Sequence, residues 1–370
     1  MKKSLKPLFA CIAITCCLQM HAQLTTIAGG GNRKASVSER VGLTDITIHY
    51  DRPGVKGREG QIWGKLVPVG YADLGFGSTT AAPWRAGANE NTSMEFSTDV
   101  KIEGQSLPAG KYGFFVAFDP NECTLIFSKN SSSWGSFYYN DKEDALRVKV
   151  KPFATDKSVE WLKYEFTNET ENTATIVLEW EKLVIPFKVE VDYLGDQTAS
   201  FRRELRGATG FNWQAWDLAA QWSLQKNTNL DEALLWSDSA TGANFGGAQS
   251  FRAWSTKAQI LNKLNRGQEA DSIMKKNLPL ASMQEVHGYG RSLLAQKKPK
   301  DAFDVFKMNY DKHPNVFTTN MGMVRAYSGI GNYKKALEFA QKASPQVPDP
   351  LNKASLDKII KLLQDGKDVN

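Results

Sequence analysis

Two different spacings of hydrophobic residues divide the chain into two parts. Over residues 35–195, apolar and polar residues alternate with a period of two, as at Ile46, Ile48 and Tyr50, which is typical of half-buried β-strands. From about residue 200 onward, apolar residues recur with the period of an α-helix, and Ala, Leu, Gln and Lys become abundant. We therefore predict a β-domain over residues 35–195 and an all-α domain over residues 200–370.

About nine runs in the first part show the alternation, and each is rich in Val, Ile, Phe, Tyr or Trp. The runs are Ile46–Tyr50, Met94–Phe96, Val100–Ile102, Lys111–Phe118, Thr124–Phe127, Leu146–Val150, Val159–Phe166, Thr173–Trp180 and Leu183–Val191. Turn-forming residues separate them, most clearly at 103–105 and 119–121. Because no helical segment interrupts the series, we predict an antiparallel, jelly-roll-like β-sandwich.

Four alanines in the helical part, Ala233, Ala270, Ala302 and Ala336, recur at intervals of 37, 32 and 34 residues. A period near 34 residues is that of the paired helices of tetratricopeptide repeats, although an unrelated helical bundle is the alternative. The last unit fits this repeat best, through Ala326, Tyr327, Gly331, Tyr333, Ala336, Ala343 and Pro348. We predict tetratricopeptide-like repeats closed by a capping helix near residues 351–363, with a concave surface for a protein or peptide partner.

The first 22 residues have the organisation of a secretory signal peptide. Lys2, Lys3 and Lys6 precede an apolar run that is too short to span a bilayer, and Ala22 is a small residue at the cleavage position. We predict cleavage after Ala22, a linker over residues 23–34, and export to the periplasm or cell surface of a gram-negative bacterium. A lipoprotein is not expected, because no cysteine follows a well-placed lipobox.

Removal of this segment changes the charge and the cysteine count. The remaining chain has 43 basic and 40 acidic residues, which gives no reason to expect a nucleic-acid partner. Cys123 is then the single cysteine and cannot form an internal disulfide, and the apolar residues that follow it predict a buried strand position. No later apolar run is long enough for a transmembrane segment.

The motifs of common catalytic and cofactor sites are missing from the sequence. His49, His287 and His313 lack the paired spacing of a His/Cys zinc site, and there is no Gly-x-Ser-x-Gly elbow. Residues 60–65 imitate a phosphate-binding loop but are one residue too short. We therefore expect neither a metal nor a cofactor, and favour a non-enzymatic protein.

The stretch from His49 to Glu90 concentrates Gly, Pro, Trp and charged residues between strands. Its candidate ligand-binding residues are Arg52, Lys56, Trp63, Trp84, Arg85, Asn89 and Glu90. Arg52 and Arg85 are suited to holding a carboxylate or phosphate, and tryptophan rings can stack on a sugar. In the structural alternative, the tryptophans fill one end of the sandwich, Arg85 pairs with Glu90, and Asn89 caps a loop.

A second candidate surface lies in residues 131–140, where Trp134 and Tyr138 could form a platform for a sugar. The alternative places Trp134, Phe137 and Tyr139 in the core. A further alternative is a glycosidase-like hydrolase, which would use two carboxylates among Asp51, Glu59, Glu90 and Glu95. In the structural interpretation, these carboxylates are solvated or form ion pairs with nearby basic residues. We favour an envelope protein whose β-domain binds a glycan or peptide; a purely structural module is the third possibility.

Several motifs of the β-domain together resemble one bacterial family, the domain of unknown function 2911. The motifs are residues 46–58, Ile62-Trp63-Gly64, residues 84–90, residues 107–112 and Val159-Glu160-Trp161. The resemblance implies a secreted β-domain of gram-negative envelope proteins, sometimes followed by helical repeats, and it implies no assigned activity. Relative to the family pattern, this chain inserts a longer segment, residues 69–83, which we expect to adjust or close the space between Trp63 and Trp84.

Overall fold

The computed structural model describes residues 31–370, which form two compact units that meet in sequence between Tyr193 and Leu194. The predicted signal peptide and most of the predicted linker lie outside the described residues.

The first unit consists of antiparallel strands in two sheets. The strands are β1 (Arg33–Val41), β2 (Thr44–Arg52), β3 (Ser93–Phe96), β4 (Val100–Ile102), β5 (Gln105–Leu107), β6 (Gly110–Ala117), β7 (Cys123–Ser128), β8 (Asp144–Val150), β9 (Phe153–Thr167) and β10 (Thr173–Val191). The larger sheet has the order β1-β2-β3-β6-β7-β8, and the smaller has the order β5-β4-β10-β9. The predicted antiparallel β-sandwich is confirmed, and most neighbours in the larger sheet are consecutive strands, unlike the alternation between sheets that is typical of a jelly roll.

The alternating residues of both sheets meet in one hydrophobic core. Phe114 of β6 and Phe127 of β7 project from the larger sheet, and Phe187 of β10 projects from the smaller one. The ring centroids of Phe114 and Phe187 are 5.7 Å apart, and those of Phe127 and Phe187 are 6.1 Å apart. These contacts join the sheets face to face. On the outer face of the larger sheet, Phe115 and Ile126 are also buried, in a small separate cluster with Tyr139.

Three strands differ from the sequence-based expectation. No predicted run covers β5, which begins at Gln105 within a predicted turn. β1 begins at Arg33, within the predicted linker, and pairs with β2 along its whole length. The runs predicted at 173–180 and 183–191 form one strand, β10, because the chain passes through bulges around Glu181 without leaving the sheet. Glu181 has a positive φ of 53°, and its buried carboxylate accepts a hydrogen bond from the Gly60 backbone N–H at 2.6 Å.

The second unit is helical. Its helices are α1 (Tyr193–Glu204), α2 (Trp213–Lys226), α3 (Leu230–Thr241), α4 (Phe251–Lys263), α5 (Gly267–Asn277), α6 (Met283–Ala295), α7 (Pro299–Lys312), α8 (Phe317–Gly329), α9 (Tyr333–Ala343) and α10 (Pro350–Gln364). The helices from α2 to α9 form four successive pairs, and the four periodic alanines are all buried in the second helix of a pair. Along the described chain, no helix is both long and apolar enough to cross a membrane.

Small residues in the helical unit allow neighbouring helices to approach closely. A Cβ atom at Gly290 of α6 would lie 2.6 Å from the ring of Phe306 in α7, so the glycine is required by packing. The predicted capping helix is α10, whose Leu356, Ile359 and Leu363 are buried against the last helix pair. The predicted helical-repeat class is therefore confirmed for this unit.

We expect Phe187→Ala to destabilise the β-unit by about 3–5 kcal/mol, because it removes the ring that joins the two sheets. Scanning calorimetry should show a lower Tm for the β-unit transition, with the helical transition as an internal reference. Phe153→Ala, at an exposed position of β9, is the matched control and should leave both transitions nearly unchanged. An equal effect of the two substitutions would contradict the assigned core.

Candidate functional site

The two tryptophans of the candidate stretch pack into an aromatic cluster at the border of the core. The ring centroid of Trp63 is 5.4 Å from that of Trp84 and 5.0 Å from that of Phe118, and Trp84 stacks on Trp180 at 6.1 Å. The indole N–H of Trp84 donates to the Gly87 carbonyl at 3.2 Å. The space between Trp63 and Trp84 is thus filled by their own edge-to-face contact.

Arg52 and Lys56 connect the candidate stretch to β9. The Arg52 Nε donates to the Leu162 carbonyl at 2.8 Å, and the Lys56 backbone N–H donates to the Glu160 carboxylate at 3.0 Å. The Lys56 ammonium also lies 5.8 Å from the centroid of the Trp161 ring. These contacts hold the exit of β2 against the opposite sheet.

Arg85 lies beneath a glycine. Its Nη1 donates to the Asn89 carbonyl at 2.7 Å, and its guanidinium is 5.3 Å from the centroid of the Phe137 ring. A Cβ atom at Gly135 would lie only 2.4 Å from the guanidinium. Burial lowers the pKa of Arg85 below its ordinary value. The side chain therefore holds two loops together from a partly desolvated position.

The predicted pair between Arg85 and Glu90 is wrong. Glu90 forms its ion pair with Lys34 of β1, a residue that the sequence analysis had placed in the linker. Asn89 has a positive φ of 53°, and its side-chain oxygen accepts a hydrogen bond from the Asn32 side chain at 3.1 Å. The start of β1 thus determines the partners of both residues.

A cleft of about 760 Å³ lies over the open face of the larger sheet. It is lined by Lys34, Ala35, Ser36, His49, Tyr50, Asp51, Glu90, Asn91, Ser93, Lys111, Ser131, Ser132, Ser133 and Trp134. The strand register brings these residues together, since Lys34 pairs with Asp51, and His49 pairs with both Ser36 and Ser93. The cleft therefore joins the end of the first candidate stretch to the second candidate surface.

Asp51 is buried although it belongs to this cleft, because a loop lies across it. The Ala88 N–H donates to the Asp51 carbonyl at 3.1 Å, and a Cβ atom at Gly87 would lie 3.1 Å from that same oxygen. The Oδ1 atom of Asp51 is buried without a hydrogen-bond donor. Because an unpaired buried acceptor is costly, this oxygen is suited to a donor group from a ligand.

Asn91 provides a second acceptor of the same kind. Its Nδ2 donates to the Asn130 carbonyl at 3.3 Å, whereas its Oδ1 is buried and receives no hydrogen bond. Asp51 and Asn91 both line the cleft. Two unpaired acceptors, one of them a carboxylate, therefore lie beside a cleft of ligand size.

The second candidate surface is divided between the exterior and the interior. Trp134 is 58% exposed at the rim of the cleft, and Tyr138 is also exposed. Tyr139 points inward, with its ring 5.3 Å from Phe115. The alternative that placed Trp134 in the core is therefore wrong. Tyr139 is buried, but in a small cluster with Phe115 and Ile126 that is separate from the core between the sheets.

The inserted segment 69–83 packs against the second candidate surface. The N–H of Ser78 donates to the Phe137 carbonyl at 3.0 Å, and the ring of Phe76 is 5.7 Å from that of Phe137 and 6.2 Å from that of Tyr138. Since Trp63 and Trp84 are already in contact, the expectation that this segment closes a space between them is wrong. It packs on Phe137 and Tyr138 of the second candidate surface instead.

Sequence reasoning missed Lys34, Asn91, Ser93 and Lys111, which all line the cleft. Among the four carboxylates considered for hydrolysis, Asp51 and Glu90 share the cleft, while Glu59 and Glu95 do not line it. Within residues 31–370, no group of three His, Cys, Asp or Glu side chains is placed to hold a metal ion. Cys123 is buried in β7, and burial raises the pKa of its thiol to about 11.

The helical unit has its own groove, about 590 Å³ in volume, along the first helices of successive pairs. Its lining is rich in side-chain amides, contributed by Gln221, Gln225, Gln259, Asn262 and Gln296. Nearby, the buried Asp217 of α2 pairs with Arg252 of α4 at 3.1 Å, and burial raises the pKa of this carboxyl. Amide groups of this kind can both donate to and accept from a peptide backbone.

Residues 32–189 match the model of the family Protein of unknown function (DUF2911). The resemblance inferred from the motifs is thereby confirmed, and the DUF2911 region coincides with the strands from β1 to most of β10. No curated protein shows significant similarity to this chain.

Solved structures that are similar to part of this chain include one that is described as a TPR protein. YrrB, described as a TPR protein with an unusual peptide-binding site, is 14% identical, with a TM-score of 0.31 over 46% of this chain and 86% of its own. The MamA RS-1 ArsTM double mutant is 18% identical, and the match covers 44% of this chain and 99% of that protein with a TM-score of 0.29. MamA residues 41-end from Desulfovibrio magneticus RS-1 are 17% identical, and the match covers 43% of this chain and 95% of that protein with a TM-score of 0.30.

We expect Gly77→Ala to detach the inserted segment from residues 131–140, because the new Cβ would lie 2.0 Å from the Phe137 carbonyl oxygen. Hydrogen exchange of residues 70–82 should become faster. Gly75→Ala is a matched control: Gly75 also has a positive φ, but its Cβ would meet nothing within 4 Å. Equal exchange in the two variants would show that the contact with Phe137 does not hold the segment.

Proposed function

We propose that the DUF2911 region is a non-enzymatic binding domain that takes a glycan in the cleft beside Asp51. One observation carries the proposal: Asp51 and Asn91 each have a buried oxygen atom without a donor in a cleft that Trp134 borders. A sugar offers several hydroxyl groups as donors, and its apolar face can lie on an exposed indole ring.

The remaining lining fits the same chemistry. Lys34 and Lys111 can donate to sugar oxygens, and Ser131, Ser132 and Ser133 can both donate and accept. A peptide is the alternative ligand, because its backbone N–H groups could also reach Asp51. The exposed ring of Trp134 beside a serine-rich rim favours the glycan.

A hydrolase remains the second candidate, because Asp51 and Glu90 line one cleft. Glycosidases need one carboxyl group to hold a proton and the other to be ionised. Glu90 is held in an ion pair with Lys34, and Asp51 is the second carboxylate of the cleft. Release of new products from a bound glycan would support this candidate and contradict the non-enzymatic one.

A structural role accounts for much of the family signature. Trp63 and Trp84 pack with Trp180, and Arg85 holds the Asn89 loop. Under this proposal these residues support the cleft without contacting the ligand. Arg85→Ala would then lower the Tm of the β-unit while the glycan affinity of the folded protein stayed close to that of the parent.

We expect Asp51→Asn to weaken glycan binding by about tenfold or more, because a charge-assisted hydrogen bond is replaced by a neutral one. Calorimetric titration with chitooligosaccharides and soluble peptidoglycan fragments measures the change, and Trp134→Ala should act in the same direction. Lys149→Gln removes an exposed ion pair with Glu122 outside the cleft and is the control. Absence of binding to the parent protein, or equal affinity in Asp51→Asn, would contradict the proposal.

We further propose that the protein is exported to the envelope of a gram-negative bacterium and that its first 22 residues are removed. The basic residues and short apolar run of this segment support the proposal. Intact-mass measurement of the protein purified from its native envelope fraction should give a chain that begins at Gln23. Recovery of the chain with Met1 retained would contradict the proposed cleavage.

The repeats are proposed to bind a protein or peptide partner along the amide-rich groove. Stacked helix pairs expose an extended surface, and the amides of α2, of α4 and of Gln296 at the end of α6 offer donors and acceptors along it. An extended peptide has the complementary pattern of backbone N–H and carbonyl groups. The groove supports a role for the helical unit in protein interaction.

A further inference from the structure

Three basic side chains lie together on the first helices of the last two pairs. His287 and Arg291 are one turn apart on α6, and Arg325 is on α8. The Nδ1 atom of His287 is buried without a hydrogen-bond partner, and a Cβ atom at Gly322 of α8 would lie 3.4 Å from it. We name His287, Arg291 and Arg325 the basic cluster.

The charges of the two arginines act on their neighbours in the cluster. Burial lowers the pKa of His287 to about 4, with further lowering from Arg325 and Arg291. Burial also lowers the pKa of Arg325, and Arg291 adds to the effect while Asp368 opposes it. In the described part of the chain, Arg291 has no carboxylate within ion-pair distance, so the cluster holds more positive than negative charge.

The last four residues fold back onto α8 beside this cluster. After α10 ends, Gly366 turns the chain with a φ of 70°, and we name residues 367–370 the tail. Ser328 Oγ donates to the Asp368 carboxylate at 2.6 Å and accepts from the Val369 N–H at 3.0 Å. One side chain of α8 therefore holds both the side chain and the backbone of the tail.

Two more contacts fix the tail in an extended course along α8. The Arg325 guanidinium donates to the Val369 carbonyl at 3.4 Å, and the Asn370 side chain donates to the Arg325 carbonyl at 3.0 Å. The side chain of Val369 packs against the hydrophobic cluster of α8, α9 and α10. The tail thus presents an acidic, an aliphatic and an amide side chain in sequence to the first helix of a repeat.

We propose that the tail occupies a binding site for an acidic segment of a partner protein and competes with it from within the same chain. The inference rests on the proposed role of the repeats in peptide binding and names the ligand class, a segment with an acidic, an aliphatic and an amide residue in succession. A partner carboxylate would replace that of Asp368 at Ser328, and a partner backbone carbonyl would replace that of Val369 at Arg325. A further acidic residue would compensate the charge of Arg291.

Competition within one chain is effective even when each contact is weak. A tethered segment acts at an effective concentration on the order of millimolar, so a partner of modest affinity is excluded until the tail leaves. The tail's hydrogen bonds are only partly buried, and surface contacts of this kind contribute little individually. Displacement by a better ligand is therefore accessible without unfolding the repeats.

The test compares the full chain with a variant that lacks residues 367–370. The probe is the peptide Gly-Lys-Asp-Val-Asn, amidated at its carboxyl end, and binding is followed by saturation-transfer NMR on the valine methyl signals. We expect the deletion variant to bind the peptide at least about tenfold more tightly than the full chain. Arg325→Gln in the deletion variant should abolish binding, and so should replacement of the peptide's aspartate by lysine.

A point variant tests the same inference without deleting residues, in case the deletion variant does not fold. Asp368→Lys retains Val369 and its packing, and it should also admit the peptide, because it removes the carboxylate that Ser328 holds. Equal peptide binding by the full chain and the deletion variant would overturn the inference. Absence of binding to a deletion variant that retains the helical content and Tm of the parent would overturn it as well.

A random peptide library separates this inference from the broader proposal for the repeats. If peptides bind the full chain and the deletion variant equally well through the amide-rich groove and the deletion enriches no acidic-aliphatic-amide sequence, the tail's role is overturned and the repeat proposal stands. A library that yields no binder on either protein would overturn the repeat proposal itself. Enrichment of acidic-aliphatic-amide sequences on the deletion variant alone is the expected result.

Discussion

The burial of one face of each sheet is the constraint on which the β-unit depends. Phe114 and Phe127 can reach Phe187 only if alternate residues of both sheets point toward a common interior. The same alternation places Lys34, His49 and Asp51 around the cleft on the opposite face of the larger sheet. Core and cleft are therefore two consequences of one period, and a shift of one residue in register would exchange them.

Strands with one apolar face could be read from the sequence, whereas β1 could not. Val41 is the single buried residue of β1, because this strand lies at the edge of the larger sheet and carries charged and polar residues on both faces. Such residues are typical of edge strands, and they also resemble a linker. Because β1 was not predicted as a strand, Lys34 was not recognised as a residue of the cleft.

The site was harder to predict than the fold because its decisive contacts are distant in sequence. The burial of Asp51 depends on Gly87, whose lack of a side chain lets the loop approach the β2 backbone. Arg85 lies under Gly135, and no spacing rule connects these two positions. In the helical unit the reverse holds, since a local period of about 34 residues specifies both the helix pairs and their buried alanines.

The return of the tail to α8 also changes how the end of the repeat array can open. In a linear stack each pair is stabilised by its neighbours, so the last helix is the first to fray. Here α10 packs on α9, while the residues that follow it are held by Ser328 and Arg325 one helix further back. The contacts of the tail thus hold the last helix against the array. A partner that displaced the tail would have to replace these contacts, or α10 would become easier to unfold.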